Sequence, residues 1–175
     1  MRRTVLTFGV ITGVVSAAIL VATIPFVDSV DFRKADILGY TGMILTALLV
    51  FFGVRSYREN AGDRTLTFGR AFEVGILITL ISCVFHAATF EILYFKAVPG
   101  LGDKYAACMV ERAKASGASQ EKLDQTARQA QTLKRLYDKP LTNAVLGFGE
   151  AFPVGLLATA LSATILRRKR TAPGN

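Results

Sequence analysis

Four stretches of the chain are almost uninterruptedly apolar, and the polar positions gather between them. Thr4 to Val27 carries no charge over 24 residues, Ile37 to Val54 none over 18, and Leu141 to Leu166 only Glu150 over 26. Leu66 to Phe95 is the least clean, with Arg70, Glu73, His86 and Glu91. A helix rises roughly 1.5 Å per residue, so about 20 residues cross a hydrocarbon layer of roughly 30 Å. The pattern predicts an all-α fold in one membrane domain, residues 1–175. It is a four-helix transmembrane bundle with crossings near 4–27, 36–54, 66–95 and 141–166. The first block exceeds the roughly 7–15 apolar residues of a signal peptide, so it reads as a retained anchor despite Arg2, Arg3 and the small run Ser16-Ala17-Ala18.

Residues 96–140 form the one sizeable polar region. Gly117 divides it into two helical stretches, Ser119 is placed to cap the second, and Glu121 suits the positive end of that helix's dipole. Leu123, Ala127, Ala130, Leu133, Leu136 and Tyr137 recur at three- and four-residue intervals, which makes an amphipathic stripe. An extracytoplasmic helical hairpin between the third and fourth crossings is expected. Its stripe would pack on the partner helix or the tops of the crossings, with ligand capture as the alternative. Pro140 restricts Lys139 and starts the last crossing.

An eight-residue phrase occurs twice, 80 positions apart: Phe68 to Gly75 and Phe148 to Gly155, identical at six positions. Small residues then continue at every fourth place through Ala71, Gly75, Thr79, Cys83 and Ala87, and through Ala151, Gly155, Thr159 and Ala163. Lipid tails are as apolar as leucine, so membrane helices associate through close contact, which small residues permit. The first crossing has its own ladder at Gly9, Gly13 and Ala17. Antiparallel crossings carrying matching copies can be related by an axis in the membrane plane, as in inverted-repeat transporters; independent convergence on tight packing is the other reading.

Charge sets the orientation. Arg2 and Arg3, then Arg55, Arg58, Arg64 and Arg70, then Arg167, Arg168, Lys169 and Arg170 fall on one side of four crossings. The positive-inside rule makes that side cytoplasmic, with both termini inside. The opposite side holds Arg33, Lys34 and, over 96–140, nine Lys or Arg against five acids, but spread thinly. The formal charge of +8 would suit nucleic acid in a soluble chain. Here the basic residues flank crossings and no nucleic-acid partner is expected. The lipid bilayer, a membrane-protein partner or a second copy are the partners that fit, and Arg167 to Arg170 could grip anionic headgroups.

Composition adds little catalytic chemistry. Two cysteines, Cys83 in a crossing and Cys108 in the polar region, lie in different layers, so no intramolecular disulfide is expected. A single histidine and no Cys/His spacing leave no metal site. Zinc-hydrolase, nucleophile-elbow, phosphate-loop and dinucleotide motifs are absent, so neither an enzyme nor a cofactor is expected.

Ionisable residues at membrane depth are the functional candidates, because burying one costs at least ~2.5 kcal/mol. Equal rises from the two basic ends bring Glu150 to the depth of His86, and each sits one place before a ladder residue, Ala151 and Ala87. A His86–Glu150 hydrogen bond is expected, able to pass a proton or serving as structural glue. Glu73 and Arg70 are secondary candidates: Glu73 is expected near enough the inner surface to meet Arg70, Arg55 or Arg58 in an interfacial ion pair, and Glu91 is expected at the headgroups, solvated. Pro153 removes a backbone donor three residues after Glu150, which favours a kink.

The basic run Arg55 to Asn60, the phrase Leu66-Thr67-Phe68-Gly69-Arg70-Ala71-Phe72, a polar helical segment and a last crossing ending in basic residues resemble the bacterial membrane-protein family catalogued as domain of unknown function 4199. The resemblance covers nearly the whole chain, and Thr-Phe-Gly-x-Ala-Phe is its most specific part. It implies four transmembrane helices and brings no assigned activity and no catalytic residues. The polar segment departs from the family pattern in being rich in Ala, Gln and Lys, with few Met. Two functional readings are left: a non-enzymatic assembly or regulatory membrane module, or a small oligomeric proton-coupled carrier using His86, Glu150 and Glu73.

Overall fold

The computed structural model describes residues 1–27, 32–60 and 66–167. Among them, six α-helices run in order: α1 Arg2–Val27, α2 Phe32–Asn60, α3 Phe68–Ile92, α4 Leu101–Ala115, α5 Gln120–Tyr137 and α6 Pro140–Leu166. A π-helical turn, Leu93–Ala97, continues α3. No strand occurs among the described residues. Arg64, Arg168, Lys169 and Arg170, which contribute to the orientation by charge, lie outside them.

Local chemistry sets the boundaries. Thr67, in extended backbone, accepts a hydrogen bond from the Arg70 amide at 3.3 Å and starts α3. Ser119 does the same for α5 through the Lys122 amide at 3.4 Å, after Gly117 turns the chain at φ 74°. That left-handed conformation carries no penalty for glycine. Lys139 is extended at φ −98° and ψ 117°, as a residue before proline must be, and Pro140 opens α6 where no backbone donor is needed.

Four helical stretches, Arg2–Phe26, Ile37–Asn60, Phe68–Ala97 and Pro140–Leu166, are long and apolar enough to cross a membrane. Their outward faces are greasy: Val14, Ile44, Val84, Val145, Leu157 and Ile165 are each more than half exposed. So much apolar surface suits lipid and not water. α3 is central and packs against α1, α2 and α6, while α4 and α5 pack on each other and α5 reaches α6.

The bundle has two unlike halves. At the basal end, where α1 begins and α6 finishes, Val5, Val50, Val54, Leu66, Ala71, Val74, Ile78, Ala158, Ala163 and Leu166 form a continuous buried core. Close approach holds it. A Cβ built on Gly75 would stand 2.8 Å from Thr159 Cγ2, and one built on Gly155 would collide with Thr79 Cγ2. These two contacts exchange under the 80-residue offset, as two-fold packing requires. Thr79 also hydrogen-bonds across the seam, to the Gly155 carbonyl at 3.2 Å and to the Thr159 hydroxyl at 3.1 Å. Ala87 and Gly147 extend the same antiparallel register toward α4 and α5. The α1 ladder takes side chains in place of backbone: Ile81 fills the notch at Gly9 and Phe85 the one at Gly13.

Candidate functional site

Toward α4 and α5 the bundle holds two cavities. A cleft of about 200 Å³ lies among α1, α2, α3 and α6, with Ser16, Thr46, Ser82, His86 and Glu150 in its walls beside Gly42 and Val154. A second cavity, of about 300 Å³, lies between the crossings and the α4–α5 pair, lined among others by Phe90, Tyr94, Tyr105, Lys134 and Tyr137. Leu20, His86 and Glu150 line both. The two ionisable groups therefore stand on the partition between a membrane-level cleft and a cavity roofed by the polar helices.

Neither group bonds the other among the described residues, which corrects the expected His86–Glu150 hydrogen bond. His86 Nδ1 pairs instead with the Ser16 hydroxyl at 3.0 Å, across the α1–α3 contact. Tyr137, at the end of α5, donates its hydroxyl to Glu150 Oε1. The physical reason is that α5 returns over the outer cavity and delivers a neutral donor to Glu150, while Gly9 and Gly13 draw α1 close enough for Ser16 to reach the imidazole. Ser16 was legible only as a small residue beside the α1 ladder, and Tyr137 only as the last member of the α5 stripe.

Other candidates fall elsewhere. Arg70 Nη1 and Glu73 Oε2 pair at 2.7 Å, both side chains about half exposed, at the basal surface and away from both cavities. Glu91 is only partly exposed, and its Oε2 is buried with no hydrogen-bond partner among the described residues, so the expected solvation does not extend to that oxygen. It borders a shallow apolar groove with Ala88 and Val145. Gly75, Thr79, Gly155 and Thr159 form the seam already described; Thr79 and Gly155 also reach the cleft wall, as does Ala151. α6 is helical on both sides of Pro153. Cys83 is buried and Cys108 half-buried, both as free thiols. No group of three or more His, Cys, Asp or Glu that could hold a metal occurs among the described residues.

Around the outer cavity, hydrogen bonds and charge fix the roof. Tyr94 donates to Asp138 at 2.7 Å. Lys134 lies 3.4 Å from Asp103 and 3.5 Å from Asp138. The Asp103 contact, then both carboxylates' charge, hold the Lys134 ammonium above its ordinary range. Burial pushes the Tyr137 phenol up, and the Glu150 carboxylate beside it adds to the effect. Burial likewise raises Tyr105. Buried phenols stay neutral because the phenolate would lose its water.

Four long apolar helices and a polar helical pair define a polytopic helical protein of the membrane-spanning class. Residues 7–168 match the family model described as protein of unknown function (DUF4199), and the chain belongs to that family. Neither the curated proteins nor the solved structures gave a match.

Proposed function

We propose that the chain is a regulatory membrane module that binds a small ligand from the α4–α5 side, in a bacterial cytoplasmic membrane with both termini inside. The observation that carries this reading is the asymmetry of the bundle. His86 and Glu150 face cavities at one end, while Val50, Val54, Ala71, Val74, Ile78 and Ala163 are wholly buried at the other. Cavities confined to one end suit recognition; carriage across the membrane would require the packed half to part. The α4–α5 pair, which faces the extracytoplasmic side in this reading, would sense occupancy through Tyr137 and pass it to α6 or to a membrane partner. No enzymatic step is invoked.

A proton-coupled carrier is the second reading, favoured by one fact: both titratable groups share a cleft and each already hydrogen-bonds a hydroxyl. Proton flux into proteoliposomes separates the two. The module reading expects no flux above protein-free vesicles and no change in Glu150→Gln or His86→Asn. A pH-gradient-driven flux that Glu150→Gln abolishes, with folding intact, would replace it with the carrier.

A further inference from the structure

The outer cavity has an unusual wall. Phe90 sits at the centre of three tyrosines from three elements, with ring centroids 5.9 Å from Tyr94, 6.4 Å from Tyr105 and 5.5 Å from Tyr137. Tyr94 and Tyr137 are themselves 6.1 Å apart. Tyr94 lies in the π-helical turn after α3, a local change of helical phase of the kind that recurs at functional sites. All four rings line one cavity of about 300 Å³, at the small end of the range for ligand sites of roughly 300–1,000 Å³.

Ring packing alone would need neither a cavity nor an acid, and both are present. Glu150 lines the same space, and among the described residues its only hydrogen bond is the one Tyr137 donates to Oε1. Its second oxygen is left for something else. The basic group on the wall, Lys134, is already held by Asp103 and Asp138, so that cluster is net negative. His86, the remaining titratable group facing the cavity, is engaged by Ser16. Aromatic rings attract cations through their quadrupoles, most strongly where water is excluded, and a carboxylate completes the complement.

The geometry points to a binding site for a small organic cation of the quaternary or substituted ammonium class, walled by Phe90, Tyr94, Tyr105 and Tyr137 with Glu150 as counter-ion. This rests on the ligand-binding reading above and names its ligand class. The site admits such a cation from the α4–α5 side and holds it above the partition that His86 and Glu150 form. An inorganic cation gains little here, since one carboxylate and phenol rings cannot replace a full hydration shell.

Isothermal titration calorimetry on the full chain in lipid nanodiscs tests it, with choline as the probe against its uncharged isostere, in which a quaternary carbon replaces the nitrogen. Choline is expected to bind at least about tenfold more tightly than the isostere, a ratio within reach of desolvated cation–π contacts. Tyr105→Leu and Glu150→Gln are expected to erase that preference, and Tyr105→Phe to keep it, each variant retaining the wild-type unfolding temperature. Equal binding of choline and isostere, lost in Tyr105→Leu, would overturn the cation assignment and leave the ligand-binding module standing. Binding of neither would overturn both.

Discussion

The basal half of the bundle and the half beneath α4 and α5 are built from the same four helices but solve different problems. In the basal half, glycine meets threonine across α3 and α6, and Thr159 and Ser162 are buried beside a continuous apolar core. In the other half, serine, histidine, glutamate and tyrosine surround open space. Lipid provides no hydrophobic drive between helices, so adhesion must come from contact. The contact-rich end supplies it. That leaves the cavity end free to carry polar groups whose burial is costly. In the proposed function, stability and recognition are thus divided between the two ends of the bundle, with the Thr79 hydroxyl near the boundary.

The strongest way to break this division is at the seam. Gly155→Leu places a side chain where even a Cβ collides with Thr79, so α3 and α6 must separate. Overpacking of this sort costs roughly 1–3 kcal/mol, and the seam has no soft neighbour to yield. Gly149, six residues earlier in the same helix, faces nothing within 4 Å. Gly149→Ala is expected to leave stability unchanged or raise it by up to about 1 kcal/mol through helix propensity. Denaturant unfolding of both variants in matched micelles checks the pair, and equal destabilisation would show that the seam is not the source of adhesion.

The polar end should respond more gently. Replacing Tyr137 by Phe removes one hydrogen bond to Glu150 and keeps the ring, for an expected cost of about 1 kcal/mol. The same phenol has its pKa raised by burial and by Glu150. A group that holds its proton more tightly when folded contributes stability that is complete below its unfolded pKa of about 10 and is lost as pH climbs past it. Alkaline titration followed by phenolate absorbance should therefore show a late-titrating tyrosine that Tyr137→Phe removes and Glu150→Gln moves back toward the ordinary range. Because Tyr105 is raised as well, a late step remains in Tyr137→Phe; a late amplitude that this variant does not reduce would contradict the assignment to Tyr137.

Much of the architecture was written in the pattern of apolar runs. Four crossings, the Ser119 cap, the Gly117 turn and the small-residue seam each follow from local chemistry or a strict spacing. His86 and Glu150 line the same two cavities, which counting depth from the two basic ends did not foresee. Their bonding partners were not legible. Ser16 reaches His86 only because α1 turns its glycines toward Ile81 and Phe85, and Tyr137 reaches Glu150 only because α5 folds back over the cleft. The aromatic wall was hidden for the same reason: its rings come from α3, the π-helical turn, α4 and α5, and no spacing within one element joins them.

Cysteine accessibility measured in membranes, in a Cys83→Ala and Cys108→Ala background, probes the central division most directly. Ser16→Cys and Val154→Cys line the cleft, whereas Val50→Cys and Ala163→Cys lie in the buried basal half, where Val50 and Ala163 are 0% exposed. A small, membrane-impermeant thiol reagent supplied from the α4–α5 side should modify the first two and leave the second two untouched. Reaction at Ala163→Cys as fast as at Ser16→Cys, or protection of all four positions, would contradict an open recognition half standing on a closed one.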